Sequence, residues 1–148
     1  MNVLVTGGAG FIPSHIVDRL LKDGHKVTVL DLWESDESKV HNGNSNFEFI
    51  KGDVLNDDLI AQCMEGKDRV IHMAAVLGTA ETITTFDVEK VCTVNIVGTT
   101  KILKAAKKAG VGRVLIPTTP DVPWINPYKI TKAAVEKLCQ LFSIEYDL

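Results

Sequence analysis

The sequence has no CxxC pair, no Cys/His cluster and no long apolar run, and each absence removes a class of protein. Its three cysteines, Cys63, Cys92 and Cys139, are scattered. An odd number at such spacing fits reduced thiols rather than a disulfide framework. Each reads as a small core residue, not a ligand or nucleophile. His72 has no second His or Cys at ligand spacing, so it reads as a sheet residue and no metal is expected. No apolar stretch approaches the length of a membrane span. Nothing ahead of the first predicted strand reads as a signal peptide, so a cytoplasmic protein is expected. A basic excess is also missing: 16 Lys and Arg stand against 19 Asp and Glu, a formal net charge of -3. That argues against a general nucleic-acid binder. No repeat, low-complexity tract or linker divides the 148 residues, so they are expected to form one domain.

What the chain does have is an alternation of strand and helix patterns. Strands are predicted over Asn2–Thr6, Lys26–Leu30, Asn46–Lys51, Arg69–Met73 and Arg113–Ile116. Helices are predicted over Ser14–Lys22, Asp57–Met64 behind an Asn56 cap, Asp87–Lys108 and Tyr128–Tyr146. The polar stretch Glu34–Asn46 reads as an exposed loop. Such alternation implies an α/β fold: a Rossmann-type, doubly wound parallel sheet of about five strands with helices on both faces. Ligands of such sheets sit at the carboxyl ends of the strands, near the switch in strand order.

The stretch Val3-Leu4-Val5-Thr6-Gly7-Gly8-Ala9-Gly10-Phe11-Ile12 runs a strand into a glycine turn and a helix. Gly7 and Gly10 fit a turn that lets backbone approach a pyrophosphate, with the N–H groups of Phe11 and Ile12 turned to the phosphate. Asp31 lies about 20 residues on, where the dinucleotide fingerprint places an acid on the adenosine ribose. A carboxylate there repels a 2′-phosphate, so NAD is expected over NADP. Pro13 stands where the fingerprint has a third small residue. It is tolerated in a first helical turn, but it disfavours helical geometry at Ile12, which predicts a late helix start and a slightly displaced helix. Trp33, just past Asp31, is a candidate to sit beside an adenine.

Further motifs follow in order: Gly52-Asp53-Val54, His72-Met73-Ala74-Ala75, Asn95-Ile96-Val97-Gly98-Thr99 and Tyr128-Lys129-Ile130-Thr131-Lys132. With the glycine turn and Asp31, the chain resembles the extended short-chain dehydrogenase/reductases, the NAD-dependent epimerase/dehydratase family of nucleotide-sugar enzymes. The resemblance covers essentially the whole chain. It implies that Asp53 and Val54 contact the adenine, and that Ala74 and Ala75 line the ribose and pyrophosphate path. It implies that Tyr128 and Lys132 of the YxxxK motif are catalytic and adjoin the cofactor. A hydroxyl residue three positions before Val122 completes that set, which makes Thr119 the candidate and Thr118 the fallback.

The chemistry of that set is coherent. A tyrosine titrates near pH 10 when unperturbed. A lysine one helical turn on shares its face and is expected to favour the phenolate by its charge. Tyr128 then takes a proton from a substrate hydroxyl, Thr119 donates to the same oxygen, and NAD accepts the hydride.

The chain departs from the family pattern in places. Val122-Pro123-Trp124 replaces the usual valine-tyrosine-glycine, and the long loop before the catalytic helix is short. Trp124 is a candidate to cover the nicotinamide end or the sheet edge. Family members continue into a carboxyl-terminal region that holds the nucleotide-sugar, whereas this sequence stops at Leu148. The expectation is therefore the cofactor half without the substrate half, with strand five as an open edge. The resemblance also implies a homodimer through Asp87–Lys108 and Tyr128–Tyr146. Two functions are open: a hydride-transferring relative of the nucleotide-sugar epimerases and dehydratases, or a catalytically impaired NAD-binding or interaction module.

Overall fold

The computed structural model describes residues 1–77, 87–120, 123 and 125–148. Strands Asn2–Thr6 (β1), Lys26–Asp31 (β2), Phe47–Lys51 (β3), Arg69–His72 (β4) and Val114–Leu115 (β5) form one parallel sheet. Their order is β3-β2-β1-β4-β5. The order reverses between β1 and β4, which opens a crevice at the carboxyl ends of the strands. The helices among the described residues are Phe11–Lys22 (α1), Asp36–Lys39 (α2), Asp57–Met64 (α3), Val88–Cys92 (α4), Thr99–Ala109 (α5) and Pro127–Tyr146 (α6). A π-helical stretch, Thr93–Gly98, joins α4 to α5.

β1 and β2 are mostly apolar because both of their faces are covered. Val3, Val5, Val27 and Val29 pack with Val17 of α1 on one face. Leu4 and Leu30 face the other way, onto Ile60 and Met64 of α3 and Ile102 and Ala106 of α5. Each fully enclosed aliphatic side chain of this kind contributes about 1.5–3 kcal/mol.

The fold is the doubly wound α/β sheet that the alternation predicts, and the local differences have physical reasons. α1 starts at Phe11, not late at Ser14. The Ser14 N–H already donates to the Gly10 carbonyl at 3.0 Å, so Pro13 stands third in the helix, where an N–H would have no intrahelical acceptor. The supposed loop Glu34–Asn46 contains α2, whose first turn is closed by the Ser38 N–H donating to Ser35 Oγ at 3.2 Å. The long helix predicted over Asp87–Lys108 is interrupted by the π-helical stretch and ends at Gly110, which has φ +71°. β5 keeps only Val114 and Leu115, paired with Val70 and Ile71. Pro117 cannot donate to a ladder and restricts Ile116 before it. Leu115 is half exposed, and β5 has β4 as its strand neighbour among the described residues, as expected of an edge.

Candidate functional site at the carboxyl ends of the strands

The glycine turn is built by close approach. Gly7 has φ +69°, and a Cβ there would lie 2.5 Å from Ala74 N and 2.7 Å from Ala74 Cα. Only glycine lets the end of β1 lie so close to the chain leaving β4. The Gly7 N–H donates to the Leu30 carbonyl at 2.8 Å, and the Gly10 N–H to the Gly7 carbonyl at 3.2 Å. Gly8 was not singled out in the sequence, yet a Cβ there would meet Val29 Cγ1 at 2.7 Å. The Gly-Gly doublet was the available signal. Pro13 is buried and its Cγ would lie 3.2 Å from a Cβ on Gly10, so the proline packs over the turn. Phe11 and Ile12 hold the first two helical positions, where N–H groups have no intrahelical acceptor. Their side chains are exposed.

Asp31 closes the turn from β2. Its Oδ2 accepts the Ala9 N–H at 3.0 Å and its Oδ1 accepts the Leu32 N–H at 2.7 Å. Burial nevertheless pushes its carboxyl above the usual range, outweighing the bonds that favour the charged form. Trp33 is exposed beyond it. Past β3, Asp53 folds back on its own loop, with Oδ1 accepting the Leu55 N–H at 2.9 Å. Val54 turns its side chain into the core beside Gly98, which leaves its main chain for any ligand contact. Ala74 and Ala75 follow β4 after Met73, and Ala74 lies against Gly7. These residues could together hold a dinucleotide: a cradle that a Cβ would fill, a helix start and a buried carboxylate bonded to the turn.

Tyr128 and Lys132 occupy successive turns at the start of α6. Asn126 caps the helix by accepting the Lys129 N–H at 2.8 Å, and Pro127 takes the first helical position. The Lys132 ammonium donates to the Pro117 carbonyl at 3.0 Å and lies 5.7 Å from the Tyr128 ring centroid. Lys132 is only 5% exposed, and burial lowers its pKa. Burial pushes the Tyr128 phenol above its usual range. The ammonium is committed to a carbonyl across the sheet end.

Thr119 is half-buried and lines a shallow cleft with Pro120, Lys129, Ala133 and Glu136. That is a neighbouring face of α6, and neither Tyr128 nor Lys132 lines the cleft. Thr118 is exposed. Val122 and Trp124 lie outside the described residues.

A buried polar chain beneath these residues was not foreseen. The His72 ring lies between Thr6 Oγ1, 2.5 Å from Nδ1, and Thr99 Oγ1, 3.0 Å from Nε2. Thr99 donates its hydroxyl to the Asn95 carbonyl at 2.6 Å. Asn95 clips the chain after Ala75: its Oδ1 accepts the Val76 N–H at 2.7 Å and its Nδ2 donates to the Val76 carbonyl at 3.0 Å. Asn95 Nδ2 also donates to Thr131 Oγ1 at 3.0 Å, and Thr131 donates to the Tyr128 carbonyl at 2.9 Å. The signal in the sequence was a run of polar residues, Thr6, His72, Asn95 and Thr99, inside otherwise apolar elements.

Comparison with known proteins places this geometry among relatives. Residues 3–148 match the model of the NAD dependent epimerase/dehydratase family. A UDP-glucose 4-epimerase of Mycolicibacterium smegmatis is 37% identical over 170 aligned residues, covering 100% of this chain and 53% of that protein. A crystal structure of UDP-glucose 4-epimerase from Thermotoga maritima with UDP-glucose superposes with a TM-score of 0.83 at 30% identity, over 100% of this chain and 53% of the other. The Thermus thermophilus UDP-glucose 4-epimerase in complex with NAD gives 0.82 at 28% identity, over 100% and 52%. The chain thus spans about half the length of these relatives.

Proposed function

Because the chain belongs to the NAD dependent epimerase/dehydratase family, we propose that residues 1–148 act as an NAD-binding domain serving hydride transfer on a nucleotide-sugar. The observation that carries this reading is the Gly7 turn, pressed against Ala74 and closed by Asp31. In it, Gly7, Gly10 and the N–H groups of Phe11 and Ile12 hold the pyrophosphate. Asp31 selects the ribose hydroxyls, Asp53 and the Val54 main chain meet the adenine, and Ala74 and Ala75 line the path between. A bound nicotinamide supplies a hydride acceptor.

Tyr128 accepts the proton of the substrate hydroxyl, Lys132 supplies positive charge beside it, and Thr119 donates to the substrate oxygen. Burial raises the Tyr128 phenol, and bound ligand, which adds polar and charged groups around it, is expected to lower it.

A second reading has a specific observation behind it. Thr119 lines a cleft with Lys129, Ala133 and Glu136 of α6 rather than with Tyr128 and Lys132. That favours a catalytically impaired module that binds NAD or a partner. We also propose a homodimer through α4, the π-helical stretch, α5 and α6, supported by exposed Val88, Val97, Ile130 and Leu141 on those elements. Among the described residues no helix is long and apolar enough to cross a membrane, and a cytoplasmic setting is part of the same reading.

Calorimetric titration with NAD and NADP tests the cofactor assignment; saturable binding that prefers NAD is expected, and no binding at millimolar cofactor overturns it. Turnover of UDP-sugars by the chain and its Tyr128→Phe variant then separates the readings. Activity lost in the variant supports the enzyme, whereas NAD binding without turnover favours the impaired module. Sedimentation at micromolar concentration decides the dimer.

A further inference from the structure

The polar chain through His72 has one self-consistent assignment of protons. Thr99 has a single hydroxyl proton, and it is given to the Asn95 carbonyl at 2.6 Å. Thr99 Oγ1 is therefore an acceptor towards His72, and Nε2 carries a proton donated to it at 3.0 Å. His72 is fully buried and its pKa is lowered to about 3, so the ring is neutral and Nδ1 is bare. Nδ1 accepts the Thr6 hydroxyl at 2.5 Å. Thr6 Oγ1, its proton spent, faces the Ala74 N–H at 3.5 Å. Every donor in the row points one way, from the Ala74 N–H beside the glycine turn to the Asn95 carbonyl.

Asn95 carries the linkage further. Its side chain holds Val76 on one side and Thr131 on the other, and Thr131 donates to the Tyr128 carbonyl. The two ends of the row are thus the chain that packs on Gly7 and the first turn of α6. Among the described residues no buried side-chain N or O atom is left without a partner. A row with every member satisfied has one arrangement and resists sliding.

We propose that His72 is a positioning residue: clamped between Thr6 and Thr99, it fixes the glycine turn relative to the Asn95–Thr131 contact under Tyr128. The inference rests on the reading that Tyr128 and Lys132 form the reacting end of the site. It assigns His72 no contact with substrate or cofactor. A phenyl ring at this position would fill the space and break both bonds. A glutamine would keep one donor and one acceptor.

The test uses the full chain, labelled with ¹⁵N-histidine and ¹³Cζ-tyrosine, in native, His72→Phe, His72→Gln and Thr6→Val forms. The two tyrosines give two signals, and Tyr146→Phe identifies that of Tyr128. We expect the native His72 ring to show a protonated Nε2 and a bare Nδ1 at neutral pH. His72→Phe should move the Tyr128 titration by at least about half a pH unit and weaken NAD binding by roughly tenfold, the worth of about one well-made hydrogen bond. His72→Gln should restore most of both. Thr6→Val removes one hydroxyl at nearly constant volume and reads the same linkage if His72→Phe does not fold. Folded variants with a lower melting temperature, but with native Tyr128 titration and NAD affinity, would overturn the proposal. So would a protonated Nδ1. Should the native chain bind no NAD, the cofactor reading fails by itself, while the nitrogen spectrum and the Tyr128 titration still decide the role of His72.

Discussion

Asp31 reaches across the glycine turn to Ala9, with its Oδ2 accepting the Ala9 N–H at 3.0 Å. The acid at the end of β2 and the turn after β1 are thus one hydrogen-bonded unit before any ligand arrives. The carboxylate is held in place by main-chain donors although its burial disfavours the charge. If Asp31 holds a ribose, as proposed, part of the ordering cost of that site is met in advance.

Asp31→Asn should therefore weaken NAD binding by roughly tenfold, because a charge-assisted acceptor becomes a neutral amide with one acceptor oxygen. The repulsion of a 2′-phosphate disappears with the charge, so the ratio of NADP to NAD affinity should move towards one. Calorimetry with both nucleotides measures it. An unchanged ratio would place nucleotide selection elsewhere.

Gly7→Ala tests the cradle itself. The left-handed backbone costs a non-glycine residue about 1–2 kcal/mol, and the new Cβ would lie 2.5 Å from Ala74 N, which is main chain and cannot rotate away. The two effects together should lower the urea midpoint and abolish detectable NAD binding. Gly24→Ala is the control: φ there is +78°, yet no atom lies within 4 Å of the added Cβ. It should lose only the backbone share and keep NAD binding.

The sheet was legible because β1, β2 and β4 are short, mostly apolar stretches and β3 alternates at its start, each bounded by turn residues, so the strand pattern recurs between helices. α3 could be placed to the residue, since Asn56 is a capping side chain and accepts the Leu59 N–H at 3.1 Å. The start of α1 is hidden in the sequence because Pro13 both restricts Ile12 and fits a first helical turn, and the structure takes the second option. The glycine turn with its distant acid was legible as a pattern; Gly8 was not, since its constraint comes from Val29 across the sheet. The π-helical stretch left no mark in the apolar period, and with it went the reason for Asn95. His72 reads as a sheet residue because its partners, Thr6 and Thr99, lie 66 and 27 residues away. Partners so far apart become neighbours only once the strand order is known.

Asn95→Ala should be among the more damaging single changes in the chain. Asn95 is 2% exposed, and its removal leaves the Val76 N–H and carbonyl without their side-chain partner and Thr131 without a donor. A cost of about 2–4 kcal/mol follows from stranding buried polar groups. Urea denaturation gives the stability, and amide exchange at Val76 should speed up more than exchange at Leu4 in β1. Uniform acceleration at both sites would instead mean global loss of stability without a local clip.

The acid limb of stability should carry the signature of His72. In the unfolded chain this imidazole takes a proton near pH 6.5, whereas in the folded chain it stays neutral down to about 3. Between those values the unfolded state holds the extra proton, so stability rises with pH and is lost as pH falls through the window. The full window corresponds to a loss on the order of 5 kcal/mol. Asp31 acts in the opposite sense: its raised pKa means that the folded state holds a proton longer than the unfolded one, and falling pH relieves the cost of its buried charge. The His72 share is therefore read as a difference. Urea midpoints of the native chain and His72→Gln, measured from pH 7 to pH 4, should converge as pH falls, because the variant has no imidazole to protonate on unfolding. A constant gap between the two curves would mean that folded His72 takes its proton near the unfolded value, and a widening gap that it is charged in the folded protein; either result would overturn the neutral-ring assignment of the row.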